Sequence, residues 1–141
     1  MVSENGLTAA LQVEYEAVYA YSSAVVHLSG SLREVAEAAE QGHRELRDAV
    51  IMALSDTDRP VPAAASAYRL VADAEDHDTA VAVISAVEDK AAQTWRAAIS
   101  THDRDDRRLA VEGLSTVAAS GAAWRRGIGE SPSVPPFPGR P

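Results

Sequence analysis

Three ionisable residues stand where the helical periodicity of this chain predicts apolar side chains. Apolar residues recur from Leu7 to Leu28 with the spacing of one helix face, and Glu14 takes one of those positions. The next two helical segments carry His43 and Glu88 on their own apolar stripes. Carboxylates and imidazole can bind iron or manganese, and they can also pair with one another in a protein interior. These three residues are therefore the candidates for any chemistry that the chain performs.

The depth of these residues in their helices indicates that the side chains can meet. His43 and Glu88 each lie near the middle of a predicted helix, so helices that start at the same end of a bundle bring them to one level. Glu14 falls level with Arg47, which is about one helical turn, roughly 5.4 Å, from His43. We therefore predict a buried polar cluster of Glu14, His43, Arg47 and Glu88.

The residue types alone leave three interpretations of this cluster open: a structural network, a metal site or a pocket for a small ligand. In the first, it is a structural network that fixes helix register, with Glu14 paired to Arg47 and the other carboxylate paired to the imidazole. In the second, the carboxylates and the imidazole bind a metal ion and support redox chemistry. Some partner is needed in each case, because an unpaired carboxylate in an apolar interior is very costly. Tyr21 and Trp95 lie on the same stripes and are expected to be packing residues.

The remaining pattern predicts an all-α protein with four helices. The chain is rich in Ala and has only 5% aromatic residues, a composition that favours helices and their close packing. Ser31 and Glu34 have the spacing of a capping box at the start of the second helix. Gly113 and Gly121 in the fourth helix indicate close helix approaches, because glycine otherwise costs helix stability. The helices are predicted from after Gly6 to about Leu28, from Ser31 to about Ala53, from about Asp78 to Ser100 and from about Arg104 to Arg126.

The links between these helices predict an up-down-down-up bundle. The links at residues 29–30 and 101–103 are so short that the helices they connect must be antiparallel neighbours. The linker over residues 55–76 is long enough to span the height of the bundle, so helix 3 starts at the same end as helix 2. Residues 1–128 are thus predicted to form one bundle, and residues 129–141 an extended Pro-rich tail. Three apolar residues are expected to anchor the linker: Tyr68, Leu70 and Val71.

Charge and composition exclude several classes of function. The formal net charge of −8 repels phosphate backbones and anionic lipid headgroups, so neither a nucleic acid nor a membrane surface is an expected partner. The chain has no cysteine, which removes disulfides, thiolate catalysis and zinc-thiolate sites. Its first residues lack a basic start and an apolar run, and no segment approaches the ~20 apolar residues of a membrane span. We expect a cytoplasmic protein.

Several short motifs together resemble an Ala-rich bacterial ferritin-like domain family of unassigned function. The resemblance covers nearly the whole chain, and it implies a four-helix bundle with one long crossover between helices 2 and 3. This agrees with the length of the linker. The motifs are Leu11-Gln12-Val13-Glu14-Tyr15-Glu16-Ala17-Val18-Tyr19-Ala20-Tyr21, His43-Arg44-Glu45-Leu46-Arg47-Asp48, Val87-Glu88-Asp89, Trp124-Arg125 and Phe137-Pro138-Gly139.

The resemblance also implies a set of metal ligands. Ferritin-like di-iron proteins take one Glu from each of two helices and a Glu-x-x-His pair from each of the other two. Helices 1 and 3 supply single carboxylates, and helix 2 supplies one pair, Glu40 and His43. Helix 4 departs from the pattern, since its nearest equivalent, Glu112-Gly113-Leu114-Ser115, has no histidine. The candidate ligands for iron or manganese are therefore Glu14, Glu40, His43 and Glu88.

Two functions stay open on this basis. In the first, the chain is a non-catalytic structural or interaction protein without a cofactor. In the alternative, it is an iron- or manganese-binding carboxylate protein with redox or metal-handling activity, and only this alternative makes it an enzyme. An Ala-rich bundle with one spare helix face is also compatible with a homodimer.

Overall fold

The computed structural model describes residues 5–130 and 136–141, and over these ranges it contains helices and loops without a β-strand. The prediction of an all-α protein with four helices is confirmed for this part of the chain. Helix α1 ends in a single 3-10 turn, Val25–His27. The four helices are α1 (Gly6–Ala24), α2 (Gly30–Asp56), α3 (His77–Ala98) and α4 (Arg104–Gly127).

Polar side chains fix the starts of three helices. Asn5 accepts a hydrogen bond from the backbone of α1, and Asp103 accepts one at the start of α4. Asp76 and Thr79 form a reciprocal capping box on α3. The capping box predicted at Ser31 is wrong, because α2 already begins at Gly30 and Ser31 lies inside its first turn.

Each helix packs against two neighbours. Helix α1 contacts α2 and α3, and α4 contacts the same two helices. The short link after α1 makes α2 antiparallel to it. Contacts of Tyr21 with Glu88 and of Trp95 with Glu14 make α1 and α3 antiparallel as well. Helices α2 and α3 therefore point the same way, and the linker between them returns along the bundle.

This linker is held against the bundle by a few specific contacts. The Tyr15 hydroxyl donates to the carbonyl of Pro62 at 2.9 Å, and the Tyr68 ring packs on Tyr19 with ring centres 5.6 Å apart. At its start, the Arg59 guanidinium donates to both carboxylate oxygens of Asp106 on α4, at 2.7 and 2.9 Å. None of the described helices combines the length and the apolar character needed to cross a membrane.

The predicted anchors of the linker behave differently from one another. Tyr68 and Leu70 are half-buried, and Leu70 packs on the core. Val71 is wrongly predicted as an anchor, because 68% of its surface is exposed. Within the predicted tail, residues 131–135 lie outside the described residues. Residues 136–141 turn back on α3, where the Arg96 guanidinium donates to the carbonyl of Pro138 at 3.1 Å.

The apolar core consists of two halves separated by a polar layer. One half lies towards the link between α3 and α4, and the other lies towards the link between α1 and α2. The ionisable residues Glu14, His43 and Glu88 lie between these halves and are almost completely buried. Large members of the first half include Leu11, Leu46, Leu54, Trp95 and Val117, and those of the second include Tyr21, Leu28, Val83, Ile84 and Trp124.

The close approach predicted at Gly113 is present. A Cβ atom added there would lie 2.3 Å from Cε3 of Trp95, so the indole packs directly on the backbone of α4. The Trp95 indole is fully buried and is hydrogen-bonded to Glu14, which leaves it little room to move. Gly42 on α2 differs from Gly113, because a Cβ atom added at Gly42 would meet nothing within 4 Å.

These two glycines make a matched pair for mutation. We expect Gly113→Ala to lower the free energy of unfolding by about 1–3 kcal/mol, because overpacking against Trp95 outweighs the ~1 kcal/mol that alanine gains in helix propensity. Gly42→Ala gains the same propensity without the clash, so it should raise the free energy of unfolding by up to about 1 kcal/mol. Urea denaturation of both variants measures the difference. Equal stabilities would show that the indole can move away from α4.

Candidate functional site

The centre of the bundle holds an imidazole between two carboxylates. Nδ1 of His43 donates to Oε2 of Glu14 at 2.6 Å, and its Nε2 donates to Oε1 of Glu88 at 2.8 Å. Helix α2 supplies the imidazole, α1 supplies one carboxylate and α3 supplies the other. Exposed surface is at most 2% for each of the three residues. The three side chains are therefore almost completely removed from bulk solvent.

Three further donors close this arrangement. The Trp95 indole N–H donates to Oε1 of Glu14 at 2.7 Å. The Tyr21 hydroxyl donates to Oε1 of Glu88, and the Ser120 hydroxyl of α4 reaches the same oxygen at 3.3 Å. All four helices thus contribute to one network, which we call the polar cluster: Glu14, Tyr21, His43, Glu88, Trp95 and Ser120.

The carboxylates keep His43 positively charged. Burial alone would lower the pKa of this imidazole, but the hydrogen bonds to Glu14 and Glu88, together with their charge, raise the pKa to about 10. Both ring nitrogens therefore carry protons at neutral pH and donate to the carboxylates. Burial, followed by the charge and the hydrogen bond of Glu88, raises the pKa of Tyr21 well above its usual value. The phenol consequently stays protonated and remains a donor.

Arg47 lies outside the polar cluster, contrary to the prediction. Its Nε donates to Asp48 at 2.8 Å, and a quarter of its side chain, 25%, is exposed. One turn beyond His43, the helix has rotated this position to the edge of the buried face. A guanidinium there keeps part of its hydration, which costs less than burial beside a carboxylate. The position predicted for Arg47 beside Glu14 is taken by the Trp95 indole.

Glu40 is likewise separate from the other candidate ligands. Its Oε1 accepts from the Ser22 hydroxyl at 3.0 Å and from the Arg44 guanidinium at 2.8 Å. These partners belong to the surface between α1 and α2. Of the four candidate metal ligands, the structure thus brings together Glu14, His43 and Glu88 and leaves Glu40 outside.

Tyr21 and Trp95 belong to the polar cluster, although residue types alone did not identify them as members. A signal for them exists in the spacing, because Tyr21 follows Glu14 by seven positions and Trp95 follows Glu88 by seven. Seven residues are about two helical turns, so each donor shares a stripe with a carboxylate. The bonds run crosswise, however, and each donor serves the carboxylate of the other helix.

The donor set of the polar cluster does not fit a two-metal carboxylate centre. Both ring nitrogens of His43 donate to carboxylates, so neither offers a lone pair to a metal. Helix α4 contributes a hydroxyl, Ser120, where a ferritin-like di-iron site needs a carboxylate and a second imidazole. Among residues 5–130 and 136–141, no three His, Asp or Glu side chains are arranged to hold a metal ion.

An apolar groove between α2 and α4 leads towards the cluster. It has a volume of about 370 Å³, and its floor includes His43 and Ser120. Its walls come from small and aliphatic residues, and within the described part of the chain the imidazole is the one acidic or basic group that lines it. The wall residues are Val35, Ala38, Ala39, Gly42, Leu46, Thr116, Val117, Ala119 and Ala123.

Comparison with known proteins places this geometry in a family. The sequence model of a family described as "Domain of unknown function (DUF4439)" matches residues 6–141. The fold is similar to the crystal structure of a conserved hypothetical protein, rv2844, from Mycobacterium tuberculosis. That similarity has a TM-score of 0.79 at 29% sequence identity, and it covers 86% of this chain and 92% of the other. Among curated proteins, none matches the chain.

Proposed function

We propose a non-catalytic role for this chain, which belongs to the family described as "Domain of unknown function (DUF4439)". In this proposal the chain is a ferritin-like bundle that acts as a structural or interaction protein. The polar cluster holds the four helices in one arrangement and performs no chemistry of its own.

The observation that carries this proposal is the complete use of the His43 ring. Each ring nitrogen is bonded to a carboxylate, at 2.6 and 2.8 Å, and the ring lies almost fully buried. A general acid or base must reach a substrate, and a ligand must offer a lone pair. His43 does neither while these bonds persist. A buried ionic network that joins all four helices is instead suited to specifying one packing.

The ferritin-like part of the proposal is supported by the order and direction of the helices. Helices α2 and α3 are consecutive in the chain and parallel in the bundle. The linker that connects them is long enough to span the height of the bundle. This is the single long crossover that distinguishes ferritin-like bundles from simple up-and-down bundles.

The interaction part of the proposal is supported by the groove between α2 and α4. The chain has a net charge of −8, yet none of the described residues that form the walls of this groove is acidic. Uncharged surface of this kind is typical of association sites. We therefore propose that the chain self-associates as a homodimer through this face.

A second candidate function is a single iron or manganese ion bound by Glu14, His43 and Glu88. One observation favours it, because Oε2 of Glu88 is a buried oxygen that has no hydrogen-bond partner in the described part of the chain. Such a site would require His43 to release a proton and one of its two carboxylate bonds. An ion held there would supply redox or metal-handling chemistry.

Metal analysis of protein purified without chelators separates the two candidates. We expect metal far below one equivalent, and no change in melting temperature when Fe(II) or Mn(II) is added. Near-stoichiometric metal that is lost in Glu88→Ala but kept in the surface control Glu40→Ala would overturn the non-catalytic proposal. Sedimentation of the same samples reports whether the chain dimerises.

A further inference from the structure

A second cavity reaches the polar cluster from the adjoining face of the bundle, on the other side of α4 from the α2–α4 groove. It lies between α3, α4 and the C-terminal residues 136–141, and it has a volume of about 430 Å³. Sites for small molecules usually have roughly 300–1,000 Å³. Glu88 is part of its lining. We call this space the tail cavity.

The C-terminal residues are fitted closely to the bundle at this cavity. Gly139 has a φ of +81°, and a Cβ atom there would lie 2.5 Å from the carbonyl oxygen of Ala92. Only glycine allows this approach to α3. The Arg96 guanidinium holds the neighbouring carbonyl of Pro138 at 3.1 Å. The wall of the tail cavity is therefore an anchored part of the fold.

Glu88, one of the residues that line the tail cavity, carries an unsatisfied acceptor, and much of the remaining lining is apolar. All hydrogen bonds that Glu88 makes go to its Oε1, while its Oε2 is the one buried side-chain oxygen or nitrogen without a partner in residues 5–130 and 136–141. A buried carboxylate oxygen without a donor costs free energy, so a donor is favoured next to it. Apolar surface in the lining comes from Ala92, Val117, Ala118, Pro136 and Pro138.

The charges around the tail cavity decide which donor fits. Two carboxylates, Glu14 and Glu88, face a single imidazolium in the polar cluster, which leaves an excess of negative charge in a water-poor interior. Among the described residues, three acidic side chains and two arginines line the cavity: Glu88, Asp89, Glu130, Arg125 and Arg140. A positively charged donor is therefore favoured over a neutral one, and an anion is disfavoured.

We propose that the tail cavity is a binding site for a small organic amine. The protonated amine donates to Oε2 of Glu88, and the apolar part of the ligand lies against Val117 and the two prolines. This goes beyond the role proposed above, because it assigns a ligand class to a cavity that the structural role of the polar cluster does not need.

Phenethylamine is a suitable probe, because it joins one primary amine to one aromatic ring. Calorimetric titration of the full chain, prepared without metal, should show one saturable site for this amine. Phenethyl alcohol has the same shape without the charge and should bind at least about tenfold more weakly, while hydrocinnamate, which carries the opposite charge, should not bind. Equal binding of the alcohol, or no binding of the amine, would overturn the proposal and leave the cavity to water.

Three variants test the position of the site. Glu88→Gln keeps the size of the side chain and should weaken amine binding by about tenfold or more. Gly121→Leu fills the tail cavity from α4, where the nearest atom to a new Cβ is the mobile end of Arg125 at 3.2 Å, and it should abolish binding. Gly42→Leu is its control, because it places the same side chain in the α2–α4 groove. If Gly42→Leu removes binding and Gly121→Leu does not, the amine binds in the groove and the assignment is wrong.

Discussion

Replacing His43 by leucine is expected to destabilise the protein by about 3–5 kcal/mol, the usual result of removing one partner from a buried ionic network. Leucine fills a similar volume but leaves two buried carboxylates, Glu14 and Glu88, without their shared cation. Domains of this size are stable by only about 5–15 kcal/mol, so the variant loses a large part of its stability. Urea denaturation followed by circular dichroism measures the loss.

Two comparisons identify the cause of this loss. Adding Glu14→Gln and Glu88→Gln to His43→Leu removes the unpaired charges but keeps acceptor oxygens for the donors around them, and it should restore more than half of the stability. If the loss persists, packing rather than charge is responsible. Arg47→Ala should cost less than about 1 kcal/mol, because that side chain pairs at the surface. A larger cost would bring Arg47 back into the cluster.

Stability is also expected to fall as the solution becomes alkaline. The pKa of His43 is about 10 in the folded chain and 6.5 in a model peptide. The folded state therefore holds a proton that the unfolded state releases, and the corresponding stability is complete below about pH 6.5 and lost as the pH rises towards 10. At about 1.4 kcal/mol per pH unit, the total is on the order of 5 kcal/mol.

The pH dependence has a direct control in the same chain. Urea denaturation at a series of pH values should give a falling free energy of unfolding for the wild type between neutral pH and about pH 10. His43→Leu should lack most of this slope, since the remaining cluster has no imidazolium to deprotonate. A wild type whose stability is constant over this range would mean that His43 is neutral in the folded state, and the ionic description of the cluster would fail.

The meeting of Glu14, His43 and Glu88 is the part of the site that follows most directly from the sequence. Their positions on apolar stripes require burial, and burial of a carboxylate requires a partner. The surroundings of Arg47 are harder to predict, because a long side chain at the edge of a buried face can turn towards water. Helical spacing places such a residue within one turn but does not say which way its charged end points.

The roles of Tyr21 and Trp95 depend on information that periodicity does not contain. Each lies on a buried stripe, where an aromatic ring is expected for packing alone. Whether its polar atom finds an acceptor depends on how far α1 is shifted along α3, and this shift is set by the whole bundle. The same holds for the linker, where neighbours Leu70 and Val71 have similar apolarity but only the former contacts the core.

Two side-chain hydrogen bonds between α1 and α3 restrict sliding of one helix along the other. Tyr21 reaches from α1 to Glu88, and Trp95 reaches back from α3 to Glu14, two turns apart along an antiparallel pair. Any axial shift or screw movement would stretch both bonds together, and both acceptors also share the His43 ring. The two bonds together fix the position of α1 relative to α3. Helices α2 and α4 therefore pack against one rigid pair rather than against two independently mobile helices.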